Sequence, residues 1–118
     1  MTVKLRFDKR VHPSPSALIF ELRGEVSSDK SLEKLVAFVE ESDQKDFVIS
    51  MKDVHYINSS GFGELADLHL WCEERGKSLL FVDLPAKVAS VFETMGGRNF
   101  LQIYASLDAA LEAIRKKK

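Results

Sequence analysis

Residues 52–65, which read K-D-V-H-Y-I-N-S-S-G-F-G-E-L, decide how this chain is organised. The apolar run before them, F-V-I-S-M at residues 47–51, is short and β-favouring, and it predicts a buried strand. After them, small and apolar side chains recur at spacings of three and four, which predicts a helix. This helical stripe consists of Phe62, Leu65, Ala66, His69 and Cys72. The residues between are predicted to form a strand-to-helix turn, with Ser59 and Ser60 at the helix start.

The two adjacent serines mark this turn as the candidate functional site. A helix start carries unpaired N–H groups and the positive end of the helix dipole, which together favour a negative group. From the residues alone, Ser59 and Ser60 are predicted to be helix caps, since capping is the commonest reason for serine at such a place. Ligands and partners of open α/β sheets also tend to meet the loops at the carboxyl ends of strands.

The composition describes one globular domain, residues 1–118. Apolar residues make up 45% of the chain and charged residues 30%, which argues against disorder. The formal net charge of −1 gives no support for a nucleic-acid partner, which usually requires a strong basic excess. A single cysteine, Cys72, excludes an internal disulfide, and we expect a packed, inert thiol there. Without a hydrophobic signal region or a run of 18 apolar residues, we expect a cytoplasmic protein with no membrane partner.

Five strands and four helices are predicted along the chain. Val3, Leu5 and Phe7 alternate with charged residues, which is typical of a strand with one wet face. Residues 12–16 are predicted to be a loop, because two prolines interrupt both strand and helix. Further strands are predicted at residues 17–22, 47–51, 78–82 and 100–104. Helices are predicted after N-cap chemistry at residues 27–29, after the central turn, from Pro85 and after Ser106.

The order of these elements predicts an α/β fold with a mostly parallel, mixed sheet. The first two strands should be antiparallel, because their connection is too short for a crossover helix. From residue 17 onward, strand and helix alternate four times, which favours parallel strands joined by right-handed crossovers.

Catalytic and metal chemistries fit the turn poorly. A serine hydrolase requires G-x-S-x-G, whereas the turn reads S-S-G-F-G, and no glycine-rich phosphate loop occurs. A receiver-type phospho-aspartate at Asp53 would need further carboxylates to hold magnesium. His12, His55 and His69 have no spacing typical of a metal site. We therefore predict no catalytic residue, no metal and no cofactor.

Trp71 is predicted to lie on the side of its helix opposite the apolar stripe. A partly exposed tryptophan suggests a contact surface for a partner. Packing under a neighbouring loop is the alternative interpretation.

Residues 53–63 resemble the signature of the STAS domain, which is found in bacterial anti-sigma factor antagonists and sulphate transporters. The signature reads roughly D-[apolar]-x-x-[apolar]-[DN]-S-[ST]-G-[apolar]-G. The matching residues are Asp53, Val54, Ile57, Asn58, Ser59, Ser60, Gly61, Phe62 and Gly63. The resemblance continues at residues 24–26 (G-E-V), 91–96 (V-F-E-T-M-G) and 108–111 (D-A-A-L), so it covers nearly the whole chain. It implies a single STAS domain.

The resemblance also implies a function. In antagonists of this family, the serine after the acidic position is phosphorylated by a partner anti-sigma factor serine kinase, and this serine corresponds to Ser59. The unmodified domain binds the kinase and frees a sigma factor; phosphorylation stops the binding, and a serine phosphatase restores it. The implied protein is a non-catalytic switch. The sequence departs from the pattern at Asn58, where aspartate is usual, which removes a charge and keeps one acceptor oxygen.

On this basis the partner surface is predicted to cover the turn, the outer face of the following helix and the loop at residues 24–28. Its residues are Gly24, Ser27, Asp53, Asn58, Ser59, Ser60, Gly61, Phe62, Glu64 and Trp71. A second copy of the chain, forming a homodimer, is a further partner that we consider. The alternatives are an accessory STAS subunit of a lipid-transporter ATPase and a nucleotide-binding STAS domain.

Overall fold

The computed structural model describes residues 4–117 and places five strands and four α-helices among them. The strands are β1 (Arg6–Pro13), β2 (Ser16–Val26), β3 (Asp46–Ile57), β4 (Ser78–Val82) and β5 (Gln102–Tyr104). The helices are α1 (Lys30–Glu41), α2 (Ser59–Glu74), α3 (Ala86–Thr94) and α4 (Leu107–Lys116). A 3-10 turn, Gly97–Asn99, lies between α3 and β5. The predicted α/β class and the order of its elements are confirmed.

The strands form one mixed sheet in the order β1-β2-β3-β4-β5. β1 pairs with β2 in an antiparallel sense, and the three later pairings are parallel, as predicted. The predicted first strand included Val3, which lies outside the described residues.

Two hydrophobic layers cover the two faces of the sheet. The strands lie in the sheet in the same order as in the chain. Because all crossovers between its parallel strands have the same hand, the helices of these crossovers lie on the same face of the sheet. Accordingly α1, α2 and α3 share a large core with the sheet, built around Leu35, Leu65 and Phe92. On the opposite face α4 buries Ile114 against a smaller cluster that includes Val48.

The predicted loop at residues 12–16 is wrong in extent. β1 continues to Pro13, which is paired with Ser16 across a hairpin whose turn is Ser14-Pro15. Proline is tolerated there because β1 is an edge strand. On its outer side no further strand needs a hydrogen bond from a backbone N–H.

The central turn predicted for residues 53–63 is also wrong in extent, because β3 continues to Ile57. Its second half pairs with the end of β2, with irregular register between Glu21 and Glu25. Buried side chains recur there every third residue, at Met51, Val54 and Ile57, instead of every second residue. Shifts of this kind are typical of β-bulges, which break the alternation by which a strand is identified from sequence.

Candidate functional site

Only Asn58 separates β3 from α2, and its hydrogen bonds define the site. The Asn58 side-chain Oδ1 accepts a hydrogen bond from the Gly61 N–H at 2.7 Å. The Asn58 N–H donates to the carbonyl oxygen of Val26 at 3.1 Å, and its own carbonyl accepts from the Phe62 N–H at 2.9 Å. Asn58 therefore caps α2 and ties the helix to the end of β2.

The prediction that Ser59 and Ser60 cap the helix is wrong, because Asn58 takes that role. Ser59 and Ser60 are the first two residues of α2, and both are exposed. The first turn of α2 carries no acidic residue. The exposed hydroxyl of Ser59 therefore lies at the positive end of a 16-residue helix, without a neighbouring carboxylate in that turn.

Gly61 allows α2 to lie directly against β2. A Cβ atom at this position would lie 2.5 Å from the carbonyl oxygen of Val26 and 2.8 Å from its carbonyl carbon. Phe62 is buried, and its ring packs edge-on against that of Phe92 at 5.1 Å between centroids. Gly61 and Phe62, both predicted partner residues, therefore offer no side chain to a partner; they shape the start of the helix.

The end of β2 supplies the second side of the site. Gly24 is buried in β2 with a φ of 102°, a conformation that favours glycine, and it pairs with Val54. Ser27 directly follows Val26, the residue bonded to Asn58, and is half-buried. The structure thus brings together Val26, Ser27, Asn58, Ser59 and Ser60, which we call the β2–α2 junction.

The predicted cap chemistry at residues 27–29 is confirmed at Asp29. Its carboxylate accepts hydrogen bonds from the N–H groups of Ser31 and Leu32, at 3.0 and 3.1 Å. This cap starts α1 immediately beside the β2–α2 junction.

Two predicted site residues lie away from this junction. Asp53 is exposed on β3, five residues before Asn58, which at the rise of an extended strand is about 16 Å. Trp71 lies twelve residues beyond Ser59 on α2, which is about 18 Å along the helix axis. The predicted partner surface includes both residues, but neither lies at the β2–α2 junction.

Trp71 is half-buried rather than a free surface residue. Its side chain packs against the main core, and the guanidinium of Arg75 lies 4.1 Å from its ring centroid. Together with Glu64 and Leu68, it lines a groove between α1 and α2. Trp71 therefore packs against the core and also borders a surface groove, and its role as a contact for a partner stays a prediction.

This α1–α2 groove is strongly acidic. Glu33 and Glu40 of α1 face Glu64 and Asp67 of α2 across it. One carboxylate oxygen of Glu64 is buried without a hydrogen-bond partner among residues 4–117. All four charged residues that line the groove are therefore acidic.

The buried histidine and cysteine of α2 belong to the core, as their positions in the apolar stripe predicted. His69 is 1% exposed, and its Nε2 lies 3.3 Å from a carboxylate oxygen of Glu73. Cys72 is fully buried, and desolvation raises the pKa of its thiol to about 11. Across residues 4–117, no three His, Cys, Asp or Glu side chains come together in a way that would hold a metal ion.

Comparison with known proteins identifies the family. The STAS domain family matches residues 6–110, and the chain therefore belongs to it. No curated protein matches the chain in sequence. No helix within the described part of the chain is long and apolar enough to cross a membrane.

Three solved structures illustrate the likeness. An anti-sigma factor antagonist from Mycobacterium paratuberculosis is 20% identical, with a TM-score of 0.82 and 95% of each chain covered. The Bacillus cell fate determinant SpoIIAA in its phosphorylated form is 15% identical, with a TM-score of 0.70, covering 93% of this chain and 100% of that one. A sulfate transporter family protein from Wolinella succinogenes is 23% identical, with a TM-score of 0.75, covering 91% and 89%. At these identities the likeness shows the fold.

Proposed function

We propose that this STAS domain is an anti-sigma factor antagonist controlled by phosphorylation of Ser59. In the unphosphorylated state it binds an anti-sigma factor serine kinase and so frees a sigma factor. Phosphorylation by that kinase abolishes binding, and a serine phosphatase restores it. The observation that carries the proposal is the exposed Ser59 hydroxyl at the first residue of α2, directly after the Asn58 cap and beside the end of β2.

The descriptions of similar solved structures support the role of an anti-sigma factor antagonist. One of them is described as an anti-sigma factor antagonist. Another is SpoIIAA in its phosphorylated form. Ser60 is exposed as well, but Ser59 occupies the motif position that follows the acidic residue in the family pattern. We therefore assign the phosphate acceptor to Ser59.

The free domain should tolerate a phosphate at Ser59. The group adds roughly −1.5 to −2 charges, and α2 offers it N–H groups and a dipole whose stabilisation of a well-placed anion is ~0.3–2 kcal/mol. The absence of an acidic residue in the first turn removes local repulsion. Phosphorylation should therefore leave the fold intact and change only what can dock on it.

At a closed interface the same phosphate would oppose binding. A charge buried without a partner costs several kcal/mol, more than the helix end returns. Repulsion from Asp53 contributes little to this cost. Asp53 lies about 16 Å back along β3, beyond a Debye length of ~8 Å at physiological salt. Desolvation at the β2–α2 junction is thus the main term.

The acidic α1–α2 groove indicates the chemistry of the partner. Four carboxylates surround its apolar floor of Val36, Leu68 and Trp71. A partner surface with basic side chains around an apolar anchor would complement it, and complementary charges raise association rates.

Phosphorylation mapping tests the assignment of Ser59. The cognate kinase is first identified by co-purification from the native cell and mass spectrometry. Incubation with that kinase and ATP should then place one phosphate on Ser59. Ser59→Ala should abolish incorporation, whereas Ser60→Ala, the matched control, should retain it. Modification of Ser60 alone would refute the assignment.

A binding titration tests the switch itself. Ser59→Asp, a partial mimic, should weaken kinase binding by ~10-fold or more, which is about 1.4 kcal/mol. Ser59→Ala should bind as tightly as the wild type. Both variants should keep their stability within about 1 kcal/mol, because the side chain is exposed and does not cap the helix. Equal affinity of the two folded variants would show that charge at this position is not the switch.

A transporter-associated role is the second candidate, since one neighbour is a sulfate transporter family protein. Co-purification separates the two. Recovery of a histidine-kinase-like ATPase supports the antagonist, and recovery of a transporter ATPase supports an accessory STAS subunit.

A further inference from the structure

A cavity of about 770 Å³ opens at the carboxyl ends of β4 and β5, outside the β2–α2 junction. Lys52 of β3, Pro85 at the start of α3, Arg98 of the 3-10 turn and Tyr104 of β5 contribute to its lining. Its volume is within the range of small-molecule sites, about 300–1,000 Å³. In open α/β sheets, this end of the strands is where ligands bind.

The charged groups of the cavity favour an anion. Lys52 and Arg98 are both exposed, and within residues 4–117 neither makes an ion pair or a side-chain hydrogen bond. Asp83 is the acidic residue in the lining, so the two cations outnumber it. Two cations converging on one cavity are therefore available to bind a ligand.

The start of α3 adds to the same preference. Pro85 is its N-cap, and no side chain caps the helix. The first intrahelical bond runs from the Ala89 N–H to the Pro85 carbonyl at 2.8 Å. The N–H groups of residues 86–88 precede this bond, and the first turn carries no acidic residue. Pro85 and Ala89 line the cavity, so this helix start with its unpaired N–H groups borders it.

The remaining wall of the cavity is apolar. Leu84, Ala89 and Ile103, all half-buried, contribute to it. An inorganic ion would leave this wall uncovered, whereas a ligand with an apolar body would cover it.

We propose that this cavity binds a small amphiphilic anion, a phosphate or carboxylate joined to an apolar body. The anionic group lies between Lys52, Arg98 and the start of α3, and the apolar body lies on the wall formed by Leu84, Ala89 and Ile103. This inference is independent of the proposed phosphorylation switch, since it uses none of the residues of the β2–α2 junction.

Phenyl phosphate is a suitable probe, titrated into ¹⁵N-labelled protein and followed by two-dimensional NMR. The amide signals of Leu84, of residues 86–89 and of residues 98–105 should shift together with one dissociation constant. Phenyl phosphate should bind about tenfold more tightly than inorganic phosphate, because burying part of the ring contributes roughly that factor. Benzyl alcohol, which lacks the charge, should cause no saturable shift.

Matched variants distinguish a site from general charge attraction. Lys52→Gln and Arg98→Gln should each weaken phenyl phosphate binding by about threefold to tenfold, as loss of one charged contact does. Lys45→Gln is the control, because Lys45 is an exposed lysine just before the opposite end of β3. Thermal melts of all three variants check that each remains folded.

Several results would overturn the proposal: no saturable shift at millimolar phenyl phosphate, shifts spread over the basic surface, or equal weakening by Lys45→Gln. Equal affinity for phenyl and inorganic phosphate would remove the apolar body from the ligand and overturn it too. None of these results bears on Ser59, so the phosphorylation proposal is tested separately.

Discussion

Gly61→Ala tests whether close contact between α2 and β2 holds the β2–α2 junction together. The added methyl carbon would lie 2.5 Å from the Val26 carbonyl oxygen, 2.8 Å from its carbonyl carbon and 3.0 Å from its Cγ1. Two of these atoms are backbone, and the Asn58 N–H···O bond to Val26 fixes their distance from the helix. The methyl group can be accommodated only if α2 moves away from β2.

Three contributions determine the expected change in the free energy of unfolding of Gly61→Ala. Overpacking against a fixed neighbour costs about 1–3 kcal/mol, and the loss of one backbone hydrogen bond costs about 1 kcal/mol. The higher helix propensity of alanine returns about 0.5–1 kcal/mol. We expect a net loss of about 2 kcal/mol, which for a domain of this size lowers the melting temperature by roughly 8 °C.

Gly63→Ala is the matched control. Gly63 lies two residues further along the same helix, and a Cβ atom there would have no atom within 4 Å. This variant should be unchanged or more stable by up to about 1 kcal/mol. Urea unfolding followed by circular dichroism measures both variants. Equal stability of Gly61→Ala and Gly63→Ala would refute the argument that the contact with β2 requires glycine at position 61.

Three further predictions use the same unfolding assay. Asn58→Ala should lose about 1 kcal/mol of stability because it removes the α2 cap, whereas Asn58→Asp should keep the cap and gain about 0.3–1 kcal/mol from a negative charge at the helix start; the reverse order would contradict the cap assignment. Trp71→Ala should lose about 2 kcal/mol, roughly half the cost at a fully buried site, and an unchanged melting temperature would show that the ring is purely a surface contact. The pKa of Cys72 is raised from 9.0 to about 11, so its contribution to stability is present below pH 9 and is lost as pH rises from 9 to about 11. In that window the wild type should therefore lose more stability than Cys72→Ala, and identical slopes would contradict the buried neutral thiol.

The helices were largely predictable, because helix signals are local. The apolar stripe of α2 and the cap chemistry at residues 27–29 depend on residues within a few positions of one another. Pro85 and Ser106 likewise mark the starts of α3 and α4, as predicted. The one error was the cap of α2, assigned to two serines although asparagine is as good a cap as serine.

The β2–β3 pair was predictable only in part. The sequence identified the apolar halves of both strands but not their continuation to Val26 and Ile57. That continuation is stabilised by hydrogen bonds between residues about thirty positions apart, and register shifts break the alternation. No local pattern contains this information.

By itself, the sequence determined the α/β class and the order of the elements, and its resemblance to the STAS signature marks Ser59 as the candidate acceptor. The motif and the periodicities involve residues that are close together in the chain, so they can be recognised without knowledge of the fold. The tertiary structure decided what surrounds that serine. In the folded chain Val26 lies against Gly61. Asp53 and Trp71 lie away from the junction, whereas Lys52 and Arg98 line the same cavity. These are contacts between segments distant in the chain, and sheet pairing and packing set their distances.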